Sequence, residues 1–65
     1  MKNMTLKDYR VKRKLTREEA SKQANITVTY LYLLENNKKQ PSLELINKLA
    51  EIYKTKPVNI FLSIV

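Results

Sequence analysis

The chain has 65 residues, of which 13 are Lys or Arg and six are Asp or Glu, for a net charge of +7. That length reads as one small domain, residues 1–65, near the lower limit at which an apolar core suffices without staples, and it leaves no room for a separate sensor domain. Cysteine and histidine are both absent, which excludes disulfides, the usual N and S ligands of zinc, and Cys-His or Ser-His nucleophile systems.

Five helices are expected, an all-α architecture. The first covers about Leu6 to Lys12 or Arg13, with Thr5 as cap, Leu6 and Tyr9 inward, and Lys7, Lys12 and Lys14 outward. In Thr16-Arg17-Glu18-Glu19 the threonine can cap a second helix while Glu19 returns the hydrogen bond to the cap's amide, a capping box that starts this helix at about Arg17. It runs to about Gln23. Ala24-Asn25-Ile26 follows, with Asn25 where a sharp turn needs a residue that tolerates positive φ, and Thr27 offers the cap of a third helix. Two short capped helices joined by so tight a turn are helix-turn-helix grammar.

At 100° per residue the third helix divides in two. Val28, Thr29, Tyr32 and Leu33 share one arc, and Tyr30, Leu31 and Leu34 the other, which suits a helix facing both a core and an outside partner. Asn36 to Gln40 is polar and turn-rich, hence an exposed loop. A fourth helix begins after Pro41 with Ser42 as cap, and Leu43, Ile46, Leu49, Ala50 and Tyr53 repeat as a core stripe. Lys56-Pro57 opens a short fifth helix, where proline's missing amide costs little.

The spacing of Leu6, Arg10, Leu15-Thr16, Glu18-Glu19, Tyr30-Leu31, Leu34-Glu35, Pro41-Ser42-Leu43-Glu44, Ala50 and Ile60-Phe61 resembles the lambda-repressor-like (phage repressor and Cro, or Xre) helix-turn-helix family. The resemblance runs without a gap from about Leu6 to Phe61 and implies a compact five-helix domain. It further implies that Arg10 and Glu35 form a structural ion pair between the first and third helices, and that Ile60 and Phe61 close the core. The chain departs from the family pattern at Arg17, where Gln is usual, at Ser21, where Ala is usual, and at Lys14, Asn25 and Asn37, where Gly is usual; it contains no glycine at all. Asn tolerates left-handed backbone, whereas Lys14 implies either strain or a different bend.

In this geometry the third helix enters the DNA major groove by its N-terminal part. Base reading then falls to Val28, Thr29, Tyr32 and Leu33, a surface without the bidentate Arg, Gln and Asn groups that make strong base contacts, so specificity leans on thymine methyls, water and DNA shape. Phosphate contacts fall to Arg17, Thr27, Asn36, Lys38 and Lys39. The net positive charge suits such a polyanion.

The tail Ile60-Phe61-Leu62-Ser63-Ile64-Val65 is more apolar than one short helix normally hides. Either it caps the core, or Leu62, Ile64 and Val65 form a homodimer patch. The six carboxylates are scattered over predicted helix surfaces as solubilising or ion-pairing groups, so no enzyme activity and no cofactor or metal is expected. No apolar run approaches the ~18 residues needed to span a bilayer, and the chain's start lacks the apolar stretch of a signal peptide. The expectation is a cytoplasmic, nucleoid-associated regulator that binds double-stranded DNA, a small Cro-like repressor acting as a homodimer on a palindromic operator. Regulation would come from concentration, operator overlap or a protein partner. Its lysine-, asparagine- and isoleucine-rich composition fits a low-GC bacterium, phage or mobile element. The competing reading is an adaptor or antirepressor that uses the apolar face of the third helix, or the tail, to hold a protein.

Overall fold

The computed structural model describes residues 4–64, and among them the regular structure is α1 (Leu6–Lys12), α2 (Arg17–Ala24), α3 (Val28–Glu35), α4 (Leu43–Ile52) and α5 (Pro57–Ile64). Hydroxyl side chains start the first four. Thr5 Oγ1 accepts from the Asp8 amide while the Asp8 carboxylate accepts from the Thr5 amide, and Thr16 and Glu19 make the same reciprocal box. The Thr16 amide, then its hydroxyl, holds the Glu19 carboxyl below its ordinary pKa. Thr27 and Ser42 accept from the amides of Tyr30 and Leu45. Pro57 opens α5, and the Lys56 carbonyl accepts from the Asn59 and Ile60 amides.

The helix ends follow one rule. Lys14, Asn25, Asn37 and Lys54 have φ of 58°, 58°, 59° and 56°, in the left-handed region. Each sits just past α1, α2, α3 or α4 and donates its amide three residues back, to Val11, Lys22, Leu34 or Glu51; the next amide reaches five back, to Arg10, Ser21, Leu33 or Ala50. This is the Schellman arrangement, which satisfies carbonyls the helix leaves without partners. Glycine would adopt it without strain, and this chain uses none. Lys14 therefore keeps the glycine bend rather than finding another, and Lys54 adds a fourth such position, past α4.

Helices of seven to ten residues are too short to persist alone, so tertiary packing holds them. The core joins Leu6 of α1, Ala20 and Ala24 of α2, Leu31 and Leu34 of α3, Leu45, Ile46, Leu49 and Ala50 of α4, Tyr53, and Ile60 of α5. Ala20 and Ala24 lie one turn apart, and their small side chains bring α2 close to both α3 and α4. α5 packs mainly on α4 and α1. Full burial of each leucine contributes about 1.5–3 kcal/mol.

Two expected core positions lie outside it. Leu43 is 77% exposed because, as the first residue of α4, it precedes the turn whose Leu45 and Ile46 face inward. Phe61 is 48% exposed because Ile60 and Ile64, four residues apart, take the inward side of α5. Tyr53 is buried, and its hydroxyl has no hydrogen-bond partner among the described residues. Burial, reinforced by the nearby Glu35 carboxylate and opposed by Arg10, pushes its pKa up to about 12.

Candidate nucleic-acid interface

The left-handed Asn25 ends α2 and turns the chain into Thr27, the cap of α3, so only Asn25, Ile26 and Thr27 separate the two helices. Leu31 and Leu34 are fully buried and Tyr30 packs partly against the core, which fixes the rotation of α3 about its axis. Val28, Thr29 and Tyr32 are consequently exposed, and Leu33 is half-buried at the edge of that face. An eight-residue helix is about 12 Å long, comparable to the width of the B-DNA major groove.

Arg10, Arg17, Tyr32 and Glu35 meet at one end of this face. Arg10 Nε donates to Glu35 Oε2 at 2.7 Å, its Nη2 reaches Oε1 at 3.3 Å, and its Nη1 donates to the Leu15 carbonyl at 2.9 Å. One guanidinium thus ties the C-terminal end of α1 to the end of α3 and to the turn that leads into α2. Arg17, in the first turn of α2, donates its Nε to Glu35 Oε1 at 3.3 Å, and its guanidinium carbon lies 5.2 Å from the centre of the Tyr32 ring. The Glu35 side chain is 2% exposed and that of Arg17 30%. Two cations against one buried carboxylate leave a positive charge in surplus, and it is the half-buried Arg17, the more accessible of the two, that carries it outward.

Thr27 Oγ1 accepts from the Tyr30 amide, which leaves its own proton without an acceptor among the described residues. The Asn36 side-chain amide donates to the Tyr32 carbonyl at 2.8 Å, so Asn36 closes its own helix. Lys38 and Lys39 are exposed immediately beyond α3. Lys12, Arg13 and Lys14 are exposed on the approach to α2, with no ion pair among the described residues. Ser21 is buried, its hydroxyl donating to the Glu18 carbonyl.

The tail residues lie apart from this cluster, on α5. Leu62 is exposed and Ile64 packs partly against the core, while Val65 lies outside the described residues. Exposed Val58, Phe61 and Leu62, spaced three and four apart, form an apolar strip along α5. Composition and spacing alone had not drawn attention to Val58, nor to the meeting of Arg17 with Tyr32; the three-residue separation of Tyr32 and Glu35, which places them on one side of α3, was the available signal for the latter.

The helix-turn-helix family model matches residues 6–60. The chain belongs to the lambda-repressor-like helix-turn-helix family. A relative from Archaeoglobus fulgidus, named "Uncharacterized HTH-type transcriptional regulator", is 33% identical over 57 residues, covering 88% of this chain and 80% of the relative. No solved structure matches the chain. Family membership makes α2 and α3 the helix-turn-helix pair of a DNA-binding regulator and α1, α4 and α5 the scaffold that holds them. Among the described residues no group of His, Cys, Asp or Glu is suited to hold a metal, and no helix is long and apolar enough to cross a membrane.

Proposed function

We propose that the protein is a sequence-specific double-stranded DNA-binding transcriptional regulator, a small Cro-like repressor that acts as a homodimer on a palindromic operator. The observation that carries this reading is the outward face of α3, Val28 and Thr29 free at its N-terminal end, bordered by the surplus charge of Arg17 and by Lys38 and Lys39. Val28 and the Thr29 methyl pack on thymine methyls, and Leu33 borders the same contact. Arg17, Thr27, Asn36, Lys38 and Lys39 hold the phosphates and so set register without reading sequence.

Size supports the dimer. The described chain is 30 Å in its longest dimension and carries one recognition helix, whereas successive major-groove faces are about 34 Å apart. Reading two half-sites takes a second copy, and the Val58, Phe61 and Leu62 strip of α5 is the face we assign to it.

Selection of bound duplexes from a random library tests the function. The expected result is a palindrome with half-sites centred about 10 base pairs apart. Retention of all duplexes alike would leave a non-specific binder. Failure to bind duplex DNA at low salt would favour the adaptor reading, in which the α3 face holds a protein.

A further inference from the structure

We propose that Tyr32 is a positioning residue for phosphate binding: its ring and the Glu35 carboxylate form two walls of a slot on α3 that aims Arg17 of α2 at the DNA backbone. The inference rests on the DNA-binding reading above and assigns Tyr32 a part other than base reading.

Tyr32 and Glu35 are three residues apart on α3, so their side chains leave the helix on adjacent lines. Arg17 enters between them from the neighbouring helix. Its Nε is held by Glu35 Oε1 at 3.3 Å and its guanidinium stands over the Tyr32 ring at 5.2 Å from the centroid. That leaves the two terminal nitrogens, which carry no hydrogen bond among the described residues. These terminal N–H groups are the part of an arginine that can grip a phosphate oxygen pair.

Charge balance favours the same outcome. Arg10 already neutralises Glu35 through two hydrogen bonds, so Arg17 is attracted to the carboxylate without being cancelled by it. A free arginine loses considerable rotamer freedom when it binds a phosphate, and a side chain already held at its Nε and over its flat face loses less. Tyr32, 49% exposed, buries too little surface to serve mainly as core, and its ring face is occupied by Arg17 rather than offered to a base.

Titration of labelled duplexes by fluorescence anisotropy over a range of KCl tests the assignment, using a duplex recovered by selection, its single-base-pair variants and a scrambled duplex of equal length. Tyr32→Ala and Tyr32→Leu should weaken binding to the selected and scrambled duplexes alike, by roughly three- to tenfold, with discrimination among base pairs unchanged. Tyr32→Phe, which keeps the ring face, should bind as wild type. Arg17→Ala should flatten the log-log salt slope by about 0.9, and adding Tyr32→Ala to it should weaken binding no further. Loss of discrimination at one base pair in Tyr32→Ala, or additive losses in the double variant, would make Tyr32 a base reader and overturn the proposal while leaving the DNA reading intact. A wild-type protein that binds neither duplex at low salt overturns both.

Discussion

Arg10 and Glu35, 25 residues apart in the chain, close a 2.7 Å ion pair whose carboxylate is almost wholly withdrawn from water. Removing one partner leaves a buried charge without its counterion, at a cost of about 3–5 kcal/mol. Arg10→Met should fall near the lower end, because Arg17 still reaches Glu35. Replacing both, as Arg10→Met with Glu35→Leu, should recover much of the loss. Urea denaturation of the three variants is the measurement, and additive losses in the double variant would contradict the pairing argument.

The left-handed lysines hold stability in reserve. A side chain with a Cβ in this region costs about 1–2 kcal/mol, offset in part by the greater backbone freedom that glycine loses on folding. Lys54→Gly, remote from the α2–α3 face, should therefore raise stability by about 0.5–1 kcal/mol, and Lys14→Gly by a similar amount. Asn25→Gly should gain less, since Asn tolerates this conformation. A Lys54→Gly protein with an unchanged urea midpoint would count against strain at these caps.

Alkaline pH should destabilise the protein through Tyr53. Its folded pKa is raised to about 12 from an ordinary value near 10 by burial, so the fold favours the neutral phenol. The resulting stability is complete below pH 10 and is lost as pH rises toward 12. Tyr53→Phe removes the titrating group along with a buried hydroxyl that has no partner among the described residues, and should be neutral or slightly stabilising at pH 7. Thermal melts of both proteins between pH 8 and 11 decide this: a parallel decline would exonerate Tyr53.

On α3 the two faces should behave oppositely. Leu31→Ala and Leu34→Ala, at fully buried positions, should lose about 2–5 kcal/mol of stability. Thr29→Ala should stay within about 0.5 kcal/mol of wild type in stability, yet lose about 1–3 kcal/mol of discrimination at a particular base pair. A Thr29→Ala protein that melts early but selects the same duplex would reverse the placement of the faces.

The apolar strip of α5 makes a distinct prediction for assembly. Leu62→Asp should leave a folded monomer with much poorer affinity for a two-half-site duplex, because Leu62 is exposed on the strip proposed as the dimer face and takes no part in the core. Ile64→Asp should additionally lower stability, since Ile64 packs inward. Analytical ultracentrifugation with and without the duplex reads the stoichiometry; an undiminished two-to-one complex in Leu62→Asp would remove the strip from the interface.

Local chemistry made much of the fold legible in the residues alone. Hydroxyl caps at Thr5, Thr16, Thr27 and Ser42, proline at the start of α5 and a period near 3.6 along α3 act within a few residues, and the helices start where those signals put them. Leu43 and Phe61 could not be placed that way: each satisfies its own helix's period, and only the neighbouring helices decide which of two adjacent apolar residues is covered. Tertiary structure alone decided the arrangement around Glu35. Arginine at position 17 reads as an exposed cation, and tyrosine at position 32 as part of a groove-facing arc; the packing of α2 against α3 stacks one on the other and ties Arg17 to the buried carboxylate that Arg10 also holds. The reason is one of range: caps and turns are set by backbone groups three to five residues apart, whereas a shared charge and a stacked ring depend on where two separate helices come to rest.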